Sequence, residues 1–120
     1  MRKEYTIFNG EQLAQARPAN TSTATLLNPI DNNLYIVYTI MIANVTGTAA
    51  NASVFHDKDG TTYDQSTALL YQVSVPGNDT TILTFEKGIT VRGDGHIGIQ
   101  SGTSSSLTYT LYGIKLGEQG

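Results

Sequence analysis

Leu34-Tyr35-Ile36-Val37-Tyr38-Thr39-Ile40-Met41-Ile42-Ala43-Asn44-Val45 is the longest apolar run of the chain, and its reading decides the fold. The run is rich in β-branched and aromatic residues and carries no helical period, so it reads as a strand. Taken alternately, Leu34, Ile36, Tyr38, Ile40 and Ile42 share one face, and Tyr35, Val37, Thr39, Met41 and Ala43 the other. A strand with one wet face alternates apolar with polar residues; here both faces are apolar. The second face is therefore expected to be covered, either by loops of this chain or by a neighbouring subunit.

Shorter runs of the same kind lie on either side, each stopped by Gly, Pro, Asn or Asp. Tyr5–Phe8 reads as a strand closed by Asn9-Gly10, and Gln12–Arg17 as a strand or a helical turn ended by Pro18. Strands follow at Thr23–Leu27, Ala50–His56, Ala68–Val75, Thr81–Phe85, Ile89–Arg92, His96–Gln100 and Leu107–Leu116. In the last of these Leu107, Tyr109 and Leu111 are followed by Ile114 and Leu116, and Gly113 stands where the phase changes, as a β-bulge there would produce. About eight or nine strands without a long helix predict an all-β antiparallel sandwich, jelly-roll-like, with about eight strands. The alternative is an immunoglobulin-like sandwich, for which the Cys…Trp…Cys marker is missing.

With 120 residues and no repeats or linkers, the chain reads as one domain over residues 1–120, with 1–10 as an N-terminal arm or first strand. A chain of this length buries roughly two-thirds of its unfolded surface on folding, so zero cysteines are no obstacle to stability. The net charge is −3, and the seven Lys and Arg are scattered, which argues against a nucleic-acid partner. Only 14% of residues are charged, against roughly 25% in soluble domains. Such a Thr/Ser/Asn-rich surface is cheap to desolvate and suits packing in an assembly. Met1-Arg2-Lys3-Glu4 is not followed by the apolar core of a secretory leader, and the long run contains too many polar groups to span a bilayer. A soluble protein without membrane contact is expected.

The chemistry-bearing residues are few. His56 precedes a hairpin turn and His96 opens a strand; neither sits in a nucleophile elbow, and Glu4, Glu11 and Glu86 lie on no strongly apolar strand that would raise a carboxyl pKa. No catalytic residue, cofactor site or enzyme activity is read. Two histidines without paired spacing offer no zinc site. Asp57-Lys58-Asp59-Gly60 with Asp64 resembles part of a calcium loop but lacks its terminal Glu, and it reads as a hairpin turn. Arg92-Gly93-Asp94 spells an integrin-recognition tripeptide and reads as the start of a Gly-Asp-Gly turn. Asn-x-Ser/Thr triplets at Asn20, Asn44, Asn51 and Asn78 are what a Ser/Thr-rich composition produces. Seven tyrosines would allow sugar stacking, but Tyr35, Tyr38, Tyr109 and Tyr112 fall in strands, where cross-strand packing accounts for them.

From Leu13 to Leu116 the order of segments resembles small β-sandwich proteins of tailed-phage virions. The resemblance rests on Ala16-Arg17-Pro18, Thr23–Pro29, Tyr35–Asn44, Ala50–Phe55, Thr67–Leu70, Val75–Thr80, Gly88–Val91 and Gly93–Ile97. It implies a virion structural protein, most closely a capsid decoration (cement) protein, made in the host cytoplasm and carried on the particle. Its partners would be the major capsid protein or other virion proteins, with homotrimers favoured and no catalytic residues. A neck, tail or fibre protein with a carbohydrate-binding, host-adhesion role is the alternative. The segment Met1–Phe8, with Arg2, Lys3, Glu4 and Tyr5, is then expected to contact a partner.

Overall fold

The computed structural model describes residues 11–29 and 33–116. The reading of Tyr5–Phe8 as a strand, and of Arg2, Lys3, Glu4 and Tyr5 as partner contacts, lies outside the described residues. Eight strands follow one another: β1 (Glu11–Ala16), β2 (Ala24–Leu27), β3 (Leu34–Asn44), β4 (Ala50–Asp57), β5 (Ala68–Val75), β6 (Thr80–Arg92), β7 (His96–Ser101) and β8 (Leu107–Leu116). One short 3-10 turn, Gln65–Thr67, precedes β5. Of Gln12–Arg17, open between strand and helical turn in sequence, all but Arg17 belong to strand β1. Thr81–Phe85 and Ile89–Arg92, read as separate strands, are two parts of β6.

The strands form two four-stranded sheets, sheet A in the order β1-β8-β3-β6 and sheet B in the order β2-β7-β4-β5. Every neighbouring pair is antiparallel. Consecutive strands thus alternate between sheets except at the β4–β5 hairpin, and β8 returns beside β1. That is the jelly-roll order, and it replaces the immunoglobulin-like alternative. The sheets enclose one core: Tyr35, Val37, Ile40, Ile42, Val91, Leu107, Tyr109 and Leu111 from sheet A against Leu27, Ala50, Ala52, Val54, Val75, Ile97 and Ile99 from sheet B. Tyr109, fully buried, donates its hydroxyl proton to the Gln100 carbonyl at 2.7 Å, so its polar tip is satisfied inside the core.

The division of β3 into faces needs correction. Tyr35 and Val37 point into the core, but so do Ile40 and Ile42, because the alternation slips at Tyr38. Val37 pairs with Gly113 and Thr39 with Tyr112, so Tyr38 is an extra residue that the opposing strand does not match. The outer face of β3 is consequently Leu34 and Ile36, then Thr39, Met41 and Ala43. The phase change expected at Gly113 is absent: β8 alternates through it, with Ile114 and Leu116 on the outer face. The bulges opposite β8 are in β3 at Tyr38 and in β1 at Leu13, where Gln12 pairs with Tyr112 and Ala14 with Leu111. Gly113 itself is the residue the bulged strand closes upon. A Cβ there would overlap the Ile36 carbonyl oxygen and lie 3.0 Å from the Val37 Cα, backbone atoms that cannot swing aside. Registers also shift in β2 at Leu26 and twice in β5.

At the end of the sandwich where β3 passes into β4, one side chain joins two loops. Asn44, 4% exposed, donates to the carbonyls of Thr48 and Val75, both at 2.9 Å, and accepts from the N–H and hydroxyl of Thr46 at 2.9 and 2.8 Å. All four of its hydrogen-bonding positions are used. Backbone bonds from Asn44 to Asp79 and from Asn78 to Thr46, each 2.8 Å, complete the lock between the β3–β4 and β5–β6 turns.

Candidate functional site

Two surfaces stand out, one on the outer face of each sheet. On sheet A the pairing aligns Leu116, Leu34 and Arg92 in one row, Ile114, Ile36 and Thr90 in the next, then Tyr112, Thr39 and Thr84, and Thr110, Met41 and Ile82. Leu34, Ile36, Met41, Tyr112 and Ile114 are only half-buried, and Ile82 and Leu116 are 54% and 50% exposed. An apolar band therefore runs down the middle of this face, where a sheet facing water would carry polar side chains. At its upper end Leu34, Ile36, Thr90 and Leu116 floor an open depression of about 820 Å³ rimmed by Arg92 and Lys58. The doubly apolar pattern of β3 pointed to this face; the bulge decides which residues occupy it.

The outer face of sheet B is built differently. Part of the β4–β5 connection, around Tyr63, lies over it and is tied down by carboxylates. Asp57, buried at the end of β4, accepts from the N–H groups of Thr62 at 2.8 Å and Asp59 at 3.2 Å. Asp64 caps the following 3-10 turn, accepting from the Ser66 N–H at 2.8 Å, while Thr67 donates its hydroxyl proton to the Thr62 carbonyl at 2.7 Å. These bonds favour the ionised carboxylates. Thr62 and Asp59 hold the Asp57 carboxyl below its usual 3.8, and Ser66 does the same for Asp64.

Tyr63 is the payload of this segment. Its ring lies on Gly98, where a Cβ would come within 2.6 Å of it, and stacks on Phe55 with centroids 5.9 Å apart. Its hydroxyl meets Thr25 Oγ1 at 2.6 Å. Phe55, fully buried, thus belongs to the outer face of β4 and is sealed by a loop tyrosine. Burial pushes the Tyr63 hydroxyl above its usual 10.0.

Because both carboxyls titrate below their unfolded values, the stability they contribute is present above pH 3.8 and is lost as pH falls through the depressed folded values. Acid is expected to release the Tyr63 segment. Tyrosine fluorescence, unobscured by tryptophan, followed down to about pH 3 checks this, and Asp57→Asn should remove most of the acid dependence while destabilising the segment at neutral pH. A urea midpoint unchanged across that range would contradict the assignment.

The remaining sequence candidates are distributed rather than assembled. Asp57 and Asp64 are engaged with separate backbone segments, and among the described residues no three His, Asp or Glu side chains come together as a metal site. His96 Nδ1 lies 2.7 Å from the Gly60 carbonyl, whereas His56 is on the core side of β4, its buried Nε2 without a hydrogen-bond partner. Burial lowers the His56 pKa, with the Asp57 charge opposing. Arg92-Gly93-Asp94 opens the β6–β7 turn, closed by a bond from the Gly95 N–H to the Arg92 carbonyl at 3.0 Å. Of the triplet asparagines, Asn44 is buried and fully bonded, while Asn20, Asn51 and Asn78 are exposed.

Beside Phe55, the outer face of sheet B becomes wholly polar. Thr21, Asn51, Ser53, Gln72, Gln100, Ser101 and Gly102 line a trough of about 310 Å³. Tyr71, 40% exposed, precedes Gln72 in β5, lines a separate shallow depression with Asp64, Gln65 and Ser66, and meets the Phe55 ring edge-on at 6.5 Å. Tyr63 and Tyr71, the two tyrosines on this face, are not among those singled out from sequence: one follows a turn, and the other lies in a bulged edge strand. Comparison with known protein families and with characterised proteins finds no match to this chain.

Proposed function

We propose that this chain is a structural protein of a phage particle, of the capsid decoration (cement) type, and that it works by burying the outer face of sheet A against neighbouring subunits. The apolar band along β3 is the observation that carries this reading. Leu34, Ile36, Met41, Ile82, Ile114 and Leu116 present side chains that water penalises and a partner would cover. The sparse charge supports it, since little desolvation opposes contact. The segment order that resembles small tailed-phage β-sandwich proteins agrees with it.

The function is mechanical. Each copy adds interface between major capsid subunits, with copies of itself arranged as trimers, and so opposes the pressure of packaged DNA. A specific contact buries on the order of 1,600 Å², and repetition over a symmetric shell multiplies a modest affinity. Catalysis plays no part in this reading. Titrating the purified protein against expanded capsids that lack it should give saturable occupancy and greater resistance to heat; absence of saturation rejects the cement role. Lysines at Ile82 and Leu116, both about half exposed, should change stability by no more than about 0.5 kcal/mol. The same double variant should abolish capsid occupancy, and undiminished binding would show that another surface is used.

A further inference from the structure

The sheet B trough does not enter the reading above, and its chemistry points elsewhere. We propose that it is a binding site for a neutral oligosaccharide, with Gln72, Gln100 and Asn51 recognising hydroxyls and the exposed Tyr71, next to Gln72 in β5, offering its ring to a sugar that extends beyond the trough. This inference stands on the opposite sheet and does not depend on the decoration role.

Three observations carry it. First, the side chains of Thr21, Asn51, Ser53, Gln72 and Gln100 along the trough are amides and hydroxyls, and none is charged, while the Ser101 hydroxyl turns into the core toward Tyr109. Vicinal sugar hydroxyls both donate and accept, and amides match them in both senses. Phosphates and carboxylates would find no cation there. Second, the trough is held in shape. Gln100 donates from Nε2 to the Thr21 carbonyl at 3.0 Å, which fixes the plane of its amide, and Ser53 Oγ accepts the Gln72 N–H at 2.8 Å.

Third, β5 is distorted where the distortion serves such a site. Val73 pairs with Ala52 and Leu70 with Val54, so Tyr71 and Gln72 together oppose the single residue Ser53. A regular strand would send these two side chains to opposite faces. The bulge puts the Tyr71 ring beside Phe55 and Gln72 on the trough wall, on one face. Gln72 reaches this arrangement at φ 51, a left-handed conformation that glycine would adopt without cost. A long amide side chain retained at a strained bulge, next to an exposed aromatic, suits a binding role better than a packing one.

The test uses the full chain. A printed array of neutral and acidic glycans identifies the ligand, and side-chain amide signals of Gln72, Gln100 and Asn51 in ¹⁵N-labelled protein map its position during titration. Millimolar or tighter binding of a neutral glycan is expected, with shifts centred on those amides. Tyr71→Ala should weaken binding about tenfold or more. Gln72→Gly separates function from folding: it should raise the unfolding temperature by relieving the left-handed residue while weakening the same binding. A blank neutral array, equal preference for acidic glycans, or undiminished binding in Gln72→Gly would each overturn the proposal.

Discussion

Gly113→Ala is expected to cost about 3 kcal/mol or more, lowering the unfolding midpoint by on the order of 10 °C. A methyl group is a small addition, and on most strand surfaces it would be nearly neutral. At Gly113 it meets the Ile36 carbonyl oxygen and the Val37 Cα, which belong to the central strand of sheet A. Relief would require β3 and β8 to separate where the Tyr38 bulge draws them together, breaking ladder bonds in the middle of the sheet. No rotamer change can help, because the obstacle is backbone. Urea or thermal unfolding of the variant measures the loss, and a change smaller than about 1 kcal/mol would mean that the strands are not this close.

Asn44→Ala is expected to be of similar size, about 3 kcal/mol, for a different reason. The substitution leaves the Val75 and Thr48 carbonyls and the Thr46 N–H and hydroxyl without the partner each now has. Asn44→Asp should fare little better, since a carboxylate oxygen would replace the amide group that donates to two carbonyls. Hydrogen exchange distinguishes this mechanism from general weakening. The Asn78 N–H, bonded to the Thr46 carbonyl at 2.8 Å, should lose protection far more than amides of β7 do. Uniform loss across the molecule would contradict a local lock. The same geometry removes Asn44 from consideration as a glycan acceptor, despite its Asn-Val-Thr triplet.

Strand positions were legible because turn residues punctuate apolar runs, and Ala68–Val75 and Leu107–Leu116 coincide with β5 and β8. Facing was legible only where polar and apolar residues alternate. In β8 threonines mark the outer face between Leu107 and Leu111, but Ile114 and Leu116 mimic a change of phase only because the outer face itself turns apolar there. In β3 the extra Tyr38 is hidden, since a strand apolar on both sides looks the same before and after a slip. β6 reads as two strands because Glu86, Lys87 and Gly88 interrupt its apolar pattern, though backbone pairing to β3 resumes beyond them. Phe55 looks like a core residue and is buried, but under a loop rather than between the sheets. Its cover, Tyr63, is legible only through the space left by Gly98 in another strand. The trough escapes sequence reading altogether, because Asn51, Gln72 and Gln100 become neighbours only through the order β7-β4-β5.

The register shifts have a further consequence for a protein that would work at high local concentration. Among the described residues, each outermost strand of the two sheets, β1, β2, β5 and β6, is broken by an irregularity. None offers the long straight row of unpaired amides on which a foreign chain could zip and seed a fibril. Crowded copies of this molecule can therefore meet side by side, as tiles do, without being drawn into runaway polymerisation.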